Sequence, residues 1–226
     1  TGAIVTRAER RRLTRRSRDG SVPAMAFPLA RVRDRFSSWL AQFVDDATPA
    51  GLGWIRVVVC FILALSVIWE NLAATALIPA ELRVKMGVLQ WLNRVPAFER
   101  FTDSGRALDT FEWITLVVLI LAGIGWRTRF FVPLGAACYL IFAGILREYA
   151  WFYHTGLIPL YVLIVLSFTP CGDGLSLDAW LAARRGKPLA PPARPSPAYG
   201  WARYACWTVI AMPYLLAGMS KIRFGG

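Results

Sequence analysis

The chain has 226 residues, 56% of them hydrophobic, and a net charge of +12 at pH 7. With 10 Trp, 13 Phe and a mean hydropathy of +0.46, this composition is too apolar for a typical water-soluble protein and favours a membrane as solvent. The pI near 10.3 also fits a nucleic-acid-binding protein, but a basic tail before a first membrane helix is the simpler interpretation, so no nucleic-acid partner is expected.

Residues 1–50 form a basic segment ahead of the first apolar stretch. Arginines are concentrated between Arg7 and Arg18, and no apolar stretch or cleavage motif follows them closely, so a cleavable signal is not predicted. Apolar residues at helical spacing over 34–43 predict an amphipathic helix at the membrane interface. The positive-inside rule places this segment in the cytoplasm, against anionic lipid.

Residues 51–226 contain five apolar segments that are candidates for transmembrane helices, since about 20 apolar residues cross a bilayer. They are 53–71, 111–126, 130–145, 155–171 and 201–221. The second and third are short and only Arg127-Thr128-Arg129 separates them, which predicts a helical hairpin. The predicted fold class is an all-α membrane protein, a polytopic bundle of about five transmembrane helices with short interfacial helices, located in a bacterial plasma membrane.

The loops between these segments alternate in charge. The N-terminal segment, the hairpin link and the stretch containing Arg184 and Arg185 are basic and are predicted to be cytoplasmic. The outer side then receives 78–110, 147–154 and the residues after Lys221. Apolar residues around Lys85 and Arg94 predict a second interfacial helix. The proline-rich stretch 188–197 predicts an extended linker, and a short helix over 176–184 should be capped by its first residue, a serine.

Ionisable residues at the edges of apolar segments are candidates for function, because charge is costly there. Lys221, Glu70 and His154, the chain's only histidine, are expected at the same outer depth. A desolvated Lys221 can supply a neutral amine as base, with His154 as a proton-transfer partner. The structural alternatives are a snorkelling lysine and an aromatic-belt histidine beside Trp151. For Arg56 a structural anchor is favoured. The four cysteines lack metal-ligand spacing, so neither a metal site nor a disulfide is expected.

Three sequence blocks resemble a known membrane family. They are FYHT at 152–155, FTPCGDGLSLD at 168–178 and YLLAGMSK at 214–221. In this order they resemble the horizontally transferred transmembrane (HTTM) domain, which is the membrane half of vitamin K-dependent gamma-glutamyl carboxylase and its bacterial relatives. The resemblance covers about 52–221. It implies a helical bundle with an outward-facing pocket for a reduced, vitamin K-like quinone.

The resemblance also implies roles for individual residues. The lysine matching Lys221 is the base that deprotonates the hydroquinone, and the histidine matching His154 assists carboxylation of a peptide glutamate. Glu70, Tyr214 and Gly218 are then expected to bind the cofactor. One departure is that the family's adjacent pair of lysines is replaced here by a serine followed by Lys221. Since the carboxylases continue through further helices into an outer domain, the domain over 51–226 is expected to be incomplete at its C-terminal end.

Two functions therefore stay open. The first is a quinol-dependent membrane oxidoreductase or carboxylase with a peptide substrate, in which either Glu70 or the pair Arg147 and Glu148 lines a buried outer pocket. The second is a non-catalytic subunit or assembly factor of a larger membrane complex, whose partners are membrane lipids and other subunits. The second hypothesis predicts that Lys221 is exposed to solvent or lipid.

Overall fold

A computed structural model describes residues 44–84, 89–149, 156–186 and 195–225. Within these ranges the protein is all-α, as predicted, and the only extended pairing is an isolated antiparallel bridge between Ala47 and Ser196. The helices are α1 (Pro49–Trp69), α2 (Leu89–Leu92), α3 (Pro96–Thr102), α4 (Gly105–Ile124), α5 (Thr128–Tyr149), α6 (Leu157–Ser167), α7 (Leu177–Arg184) and α8 (Pro197–Phe224). Two short 3-10 turns, Leu72–Leu77 and Ala80–Leu82, follow α1.

Four of the described helices, α1, α4, α5 and α8, are long and apolar enough to cross a membrane. The chain is therefore a multi-pass membrane protein. The segment predicted to cross at 155–171 differs, because α6 has only 11 residues. At 1.5 Å per residue it extends about 16 Å, roughly half of the hydrocarbon core. Residues such as Leu160 and Leu163 are fully buried, so α6 is a core helix of the bundle.

The predicted hairpin of α4 and α5 is confirmed, and both helices are longer than the apolar segments 111–126 and 130–145 from which they were predicted. Ser104 caps the start of α4 by accepting a hydrogen bond from the Ala107 N–H at 3.4 Å. The helix ends at Gly125, whose φ of 82° is left-handed. This conformation turns the chain within three residues into α5, and a side chain there would meet Ser176 at 2.6 Å.

The core lies where α1, α4, α5 and α6 pack together. Large side chains without exposure fill it, namely Leu63, Leu119, Tyr139, Phe142 and Leu163. Small residues let the helices approach, since a Cβ on Gly135 would already lie 3.4 Å from Leu119. All four cysteines are buried free thiols. Among the residues of α8 whose burial is described, the buried ones lie near its start, at Gly200, Ala202 and Cys206.

Two ends of the bundle can be distinguished. The hairpin end consists of residues 125–129 and 168–178, together with the starts of α1 and α8. Asp178 N–H donates to Gly125 O at 3.2 Å, and Tyr199 Oη donates to Asp173 at 2.9 Å, which joins these parts. The opposite end holds the last turns of α1, α5 and α8, because each helix runs about 30 Å or more away from the hairpin end.

The polar segments agree only partly with expectation. Ser176 caps α7 by accepting from the Ala179 N–H at 3.0 Å, as predicted. The described part of the loop 78–110 contains the 3-10 turn Ala80–Leu82, α2 and α3, and it does not include residues 85–88 of the predicted interfacial helix. The described residues do not include Lys85, the interfacial helix predicted over 34–43, or residues 188–194 of the predicted linker. At the end of that linker Ser196 is extended as predicted, whereas Pro197 already begins α8.

Candidate functional site

Three predicted site residues share one face of α8, near its end. Tyr214, Gly218 and Lys221 are spaced by four and then three residues, which aligns side chains on an α-helix. We call this set the α8 face. Tyr214 is 70% exposed, Lys221 is exposed, and a Cβ added to Gly218 would meet nothing within 4 Å. The described residues thus leave this face open, with no enclosing wall around the lysine.

The other predicted site residues are not joined to the α8 face. His154 lies outside the described residues. Glu70 is the half-exposed C-cap of α1, and its N–H donates to Ser66 O at 3.2 Å. Among the described residues, no hydrogen bond or ion pair links Glu70 to Tyr214 or Lys221. The described part of the chain therefore does not form the buried outer pocket that the enzyme hypothesis predicts. The exposed Lys221 is the arrangement that the non-catalytic hypothesis predicts.

A buried polar cluster that the sequence did not reveal lies at the same end. Arg83 is its centre, and its guanidinium donates to Tyr149 Oη at 2.7 Å, to Thr102 Oγ1 at 2.8 Å and to Asp103 Oδ1 at 2.8 Å. Burial disfavours the charge, but the hydrogen bonds to Asp103 and Tyr149 prevail and raise the pKa of Arg83 above its ordinary value. Arg83 is thus a permanent cation that fastens the loop to α5.

Glu148 is the buried carboxylate of this cluster, with 1% of the residue exposed. It accepts a hydrogen bond from Asn93 Nδ2 at 2.5 Å, and Arg83 Nε lies 4.0 Å from its Oε2. Its backbone oxygen also accepts from Val84 N–H at 2.9 Å. A carboxylate buried this completely at the end of a membrane-length helix needs such partners. Glu148 was expected to line a pocket. The sequence did not indicate that Arg83 and Asn93 would contact its carboxylate.

Arg56 occupies the core near the hairpin end. The side chain does not extend to the interface but turns inward, where it is fully buried. It donates to the carbonyl oxygens of Cys171 and Leu175, the second at 2.6 Å. These bonds hold the loop after α6 against α1, which agrees with the anchoring role favoured for this residue. The acceptors are backbone carbonyls, so no residue type in the sequence could have identified them.

A reduced quinone can be tested against this geometry. The open surface over Gly218 has room for a flat ring, Tyr214 offers an aromatic face, and Lys221 offers an amine for a hydroxyl group. The α8 face therefore offers contacts to one side of such a ligand, and the described residues do not enclose it. Among the described residues, no group of three or more His, Cys, Asp or Glu side chains could hold a metal ion.

The fold and site define a multi-pass helical membrane protein with a buried ion cluster and an open lysine-bearing face at one end. No protein-family model matches the chain, and no curated protein or solved structure is detectably similar to it.

Proposed function

We propose that this protein is an integral membrane protein of the vitamin K-dependent carboxylase-like, HTTM type, in which Lys221 acts as a base toward a reduced quinone. The observation that carries the proposal is the α8 face. Three of the five residues expected to contact the ligand, Tyr214, Gly218 and Lys221, fall on one open face of a membrane-length helix. The substrate implied by the resemblance is a peptide glutamate.

Each residue of the face has a role in this proposal. Gly218 lets a planar ring approach the backbone, and Tyr214 packs against the ring. Lys221 accepts the proton of a hydroxyl group on the ring, and His154 is its proposed proton partner. A bound reduced quinone would supply the reducing equivalents for the reaction with oxygen. The polar cluster around Glu148 holds the loop 78–110 in place. Glu70 is proposed to contribute a further polar group at the edge of the quinone site.

The proposed orientation has the N-terminus in the cytoplasm of a bacterium and Lys221 on the outer side of the plasma membrane. Support comes from charge at the hairpin end, where Arg127, Arg129, Arg184 and Arg185 are all exposed. Together with the arginine-rich residues before α1, they satisfy the positive-inside rule. Because α8 starts at the hairpin end and crosses the bilayer once, its last turn lies on the other side.

The test is quinone epoxidation by the purified full-length protein in lipid nanodiscs. A reduced naphthoquinone and oxygen are supplied, and epoxide is measured for the wild type, Lys221→Ala and Ser220→Ala. Ser220 is exposed beside the lysine but lies off the α8 face, so it controls for local disturbance. Loss of a positioned base should slow the reaction by at least about 100-fold in Lys221→Ala alone. Equal rates in all three proteins would refute the proposal.

A second function is favoured by a separate observation. Only 6% of the apolar window of α8 is buried, against 33% to 50% in the other three long helices. A non-catalytic subunit or assembly factor would use this surface to pack against helices of other proteins in a membrane complex. A photoreactive amino acid at Leu215, which is 57% exposed, should then cross-link to protein rather than to lipid. Cross-links to lipid alone would exclude this function.

A further inference from the structure

The hairpin end contains an open cavity of about 870 Å³ that has no role in the proposed quinone reaction. It lies between the link joining α4 to α5 and the loop that follows α6. Its lining includes two arginines, Arg127 and Arg129, and the apolar side chains of Phe130, Leu166 and Phe168. A cavity lined by both cations and aromatic rings matches an amphipathic, anionic ligand.

The carboxylates in the cavity are already engaged by protein groups. Asp178 accepts hydrogen bonds from the N–H groups of Arg127 and Thr128 at 2.9 and 3.0 Å, and it thereby caps α5. Asp173 accepts from Tyr199 Oη at 2.9 Å. The negative charges of Asp173 and Asp178 still make the electrostatic potential inside the cavity less positive.

The two arginines, in contrast, are exposed and have no carboxylate within 4.0 Å among the described residues. The guanidinium of Arg127 lies 5.6 Å from the centroid of the Trp126 ring. Two guanidinium groups are thus available to an external anion, and arginine binds phosphate oxygens in a planar, two-pronged geometry.

The position of the cavity indicates where such an anion would come from. It lies at the ends of two membrane-length helices, α4 and α5. Beside it, α7 has no buried residue, and Trp126 and Trp180 are exposed, as is typical of tryptophan at headgroup depth. Phe168, which lines the cavity, is 80% exposed. A lipid could therefore place its phosphate at the arginines and its acyl chains along the phenylalanines.

We propose that this cavity binds the phosphodiester headgroup of an anionic phospholipid. Arg127 and Arg129 contact the phosphate, while Phe130 and Phe168 contact the acyl chains. The site is independent of the α8 face, which is at the other end of the bundle. It also differs from the general attraction of basic residues to a negatively charged membrane, because it requires the shape of the cavity.

The test measures retention of dioleoyl phosphatidylglycerol by the full-length protein in neutral detergent, using native mass spectrometry. Phosphatidylcholine and inorganic phosphate are the competitors. In Arg127→Gln/Arg129→Gln, phosphatidylglycerol affinity should fall at least about 30-fold, because two direct charge-assisted contacts to the phosphate are lost. The matched control Arg184→Gln/Arg185→Gln removes the same charge outside the cavity and should change affinity less than about 3-fold. Equal losses in the two double variants would overturn the site.

A second variant tests the cavity without changing charge. Ser167→Trp places a bulky ring in the cavity wall and should reduce lipid retention as strongly as the loss of both arginines. Unchanged retention in a variant that elutes as the wild type in size exclusion would contradict the proposal. Inorganic phosphate should displace the lipid only at concentrations far above that of the lipid itself. Displacement at equal concentration would show that free phosphate is the ligand and overturn the lipid assignment.

Discussion

The contact between α1 and the loop after α6 makes a sharp prediction for Gly53. A Cβ added there would lie 2.4 Å from Gly174 O and 2.9 Å from Gly174 C. Both atoms belong to the backbone, and Arg56 fixes that loop by hydrogen bonds to Cys171 O and Leu175 O. The clash therefore cannot be relieved by rotating a side chain. Gly53→Ala should force α1 and the loop apart.

The magnitude follows from two opposing effects. Replacing glycine by alanine inside a helix stabilises it by up to about 1 kcal/mol. Overpacking a tight contact costs about 1 to 3 kcal/mol, and a backbone contact should lie at the upper limit. Gly53→Ala should thus lower the free energy of unfolding by about 2 kcal/mol. Gly51→Ala is the matched control, because a Cβ there meets only Thr48 Oγ1 at 3.9 Å, and stability should be equal or higher.

The assay is reversible unfolding by sodium dodecyl sulfate in mixed micelles, followed by tryptophan fluorescence. The two variants should differ by about 3 kcal/mol, on the order of 100-fold in the unfolding equilibrium. Limited proteolysis of the loop after α6 provides a local readout and should accelerate only in Gly53→Ala. If both variants unfold at the same denaturant concentration, α1 does not pack against this loop as described.

Two further substitutions test individual contacts. Asp178→Ala removes the carboxylate that caps α5 and should lower the free energy of unfolding by about 1 to 2 kcal/mol, with faster amide hydrogen exchange in the first turn of α5. Ser176→Ala should instead accelerate exchange in the first turn of α7. Identical exchange patterns in the two variants would contradict both caps. Glu148→Leu leaves the Asn93 amide without its acceptor and should lower the free energy of unfolding by about 2 to 3 kcal/mol. Glu148→Gln keeps an oxygen at this position and should lower it less. If thermal unfolding shows the same loss of stability in both variants, the hydrogen bond from Asn93 does not stabilise the protein.

The fold was predictable where composition and local chemistry determine it. Long apolar segments predicted α1 and α8, a three-residue link predicted the hairpin, and serine chemistry predicted the cap at Ser176. The shortness of α6 was missed because hydropathy does not show where a helix stops. Pro170 and the following glycines prevent its continuation, and Gly156 starts it with a left-handed φ of 77°.

The site was less predictable because its partners are distant in sequence. The motif at the end of the chain predicted Tyr214, Gly218 and Lys221 together, and helical spacing explains why they share a face. Arg83 and Glu148, in contrast, are 65 positions apart and meet only through folding of the loop onto α5. A nearly balanced set of charges in that loop was the only signal, and it did not specify pairs.

The most direct test of the proposed function is to locate the ligand on the protein. A photoreactive naphthoquinone would be irradiated with the full-length protein in nanodiscs, and labelled peptides would be mapped by mass spectrometry. The account predicts labels on residues 214–221 that a non-reactive naphthoquinone competes away and that a bulky residue at Gly218, as in Gly218→Leu, abolishes. Labelling spread over the lipid-facing surfaces of all helices, unaffected by competitor or by that substitution, would contradict it.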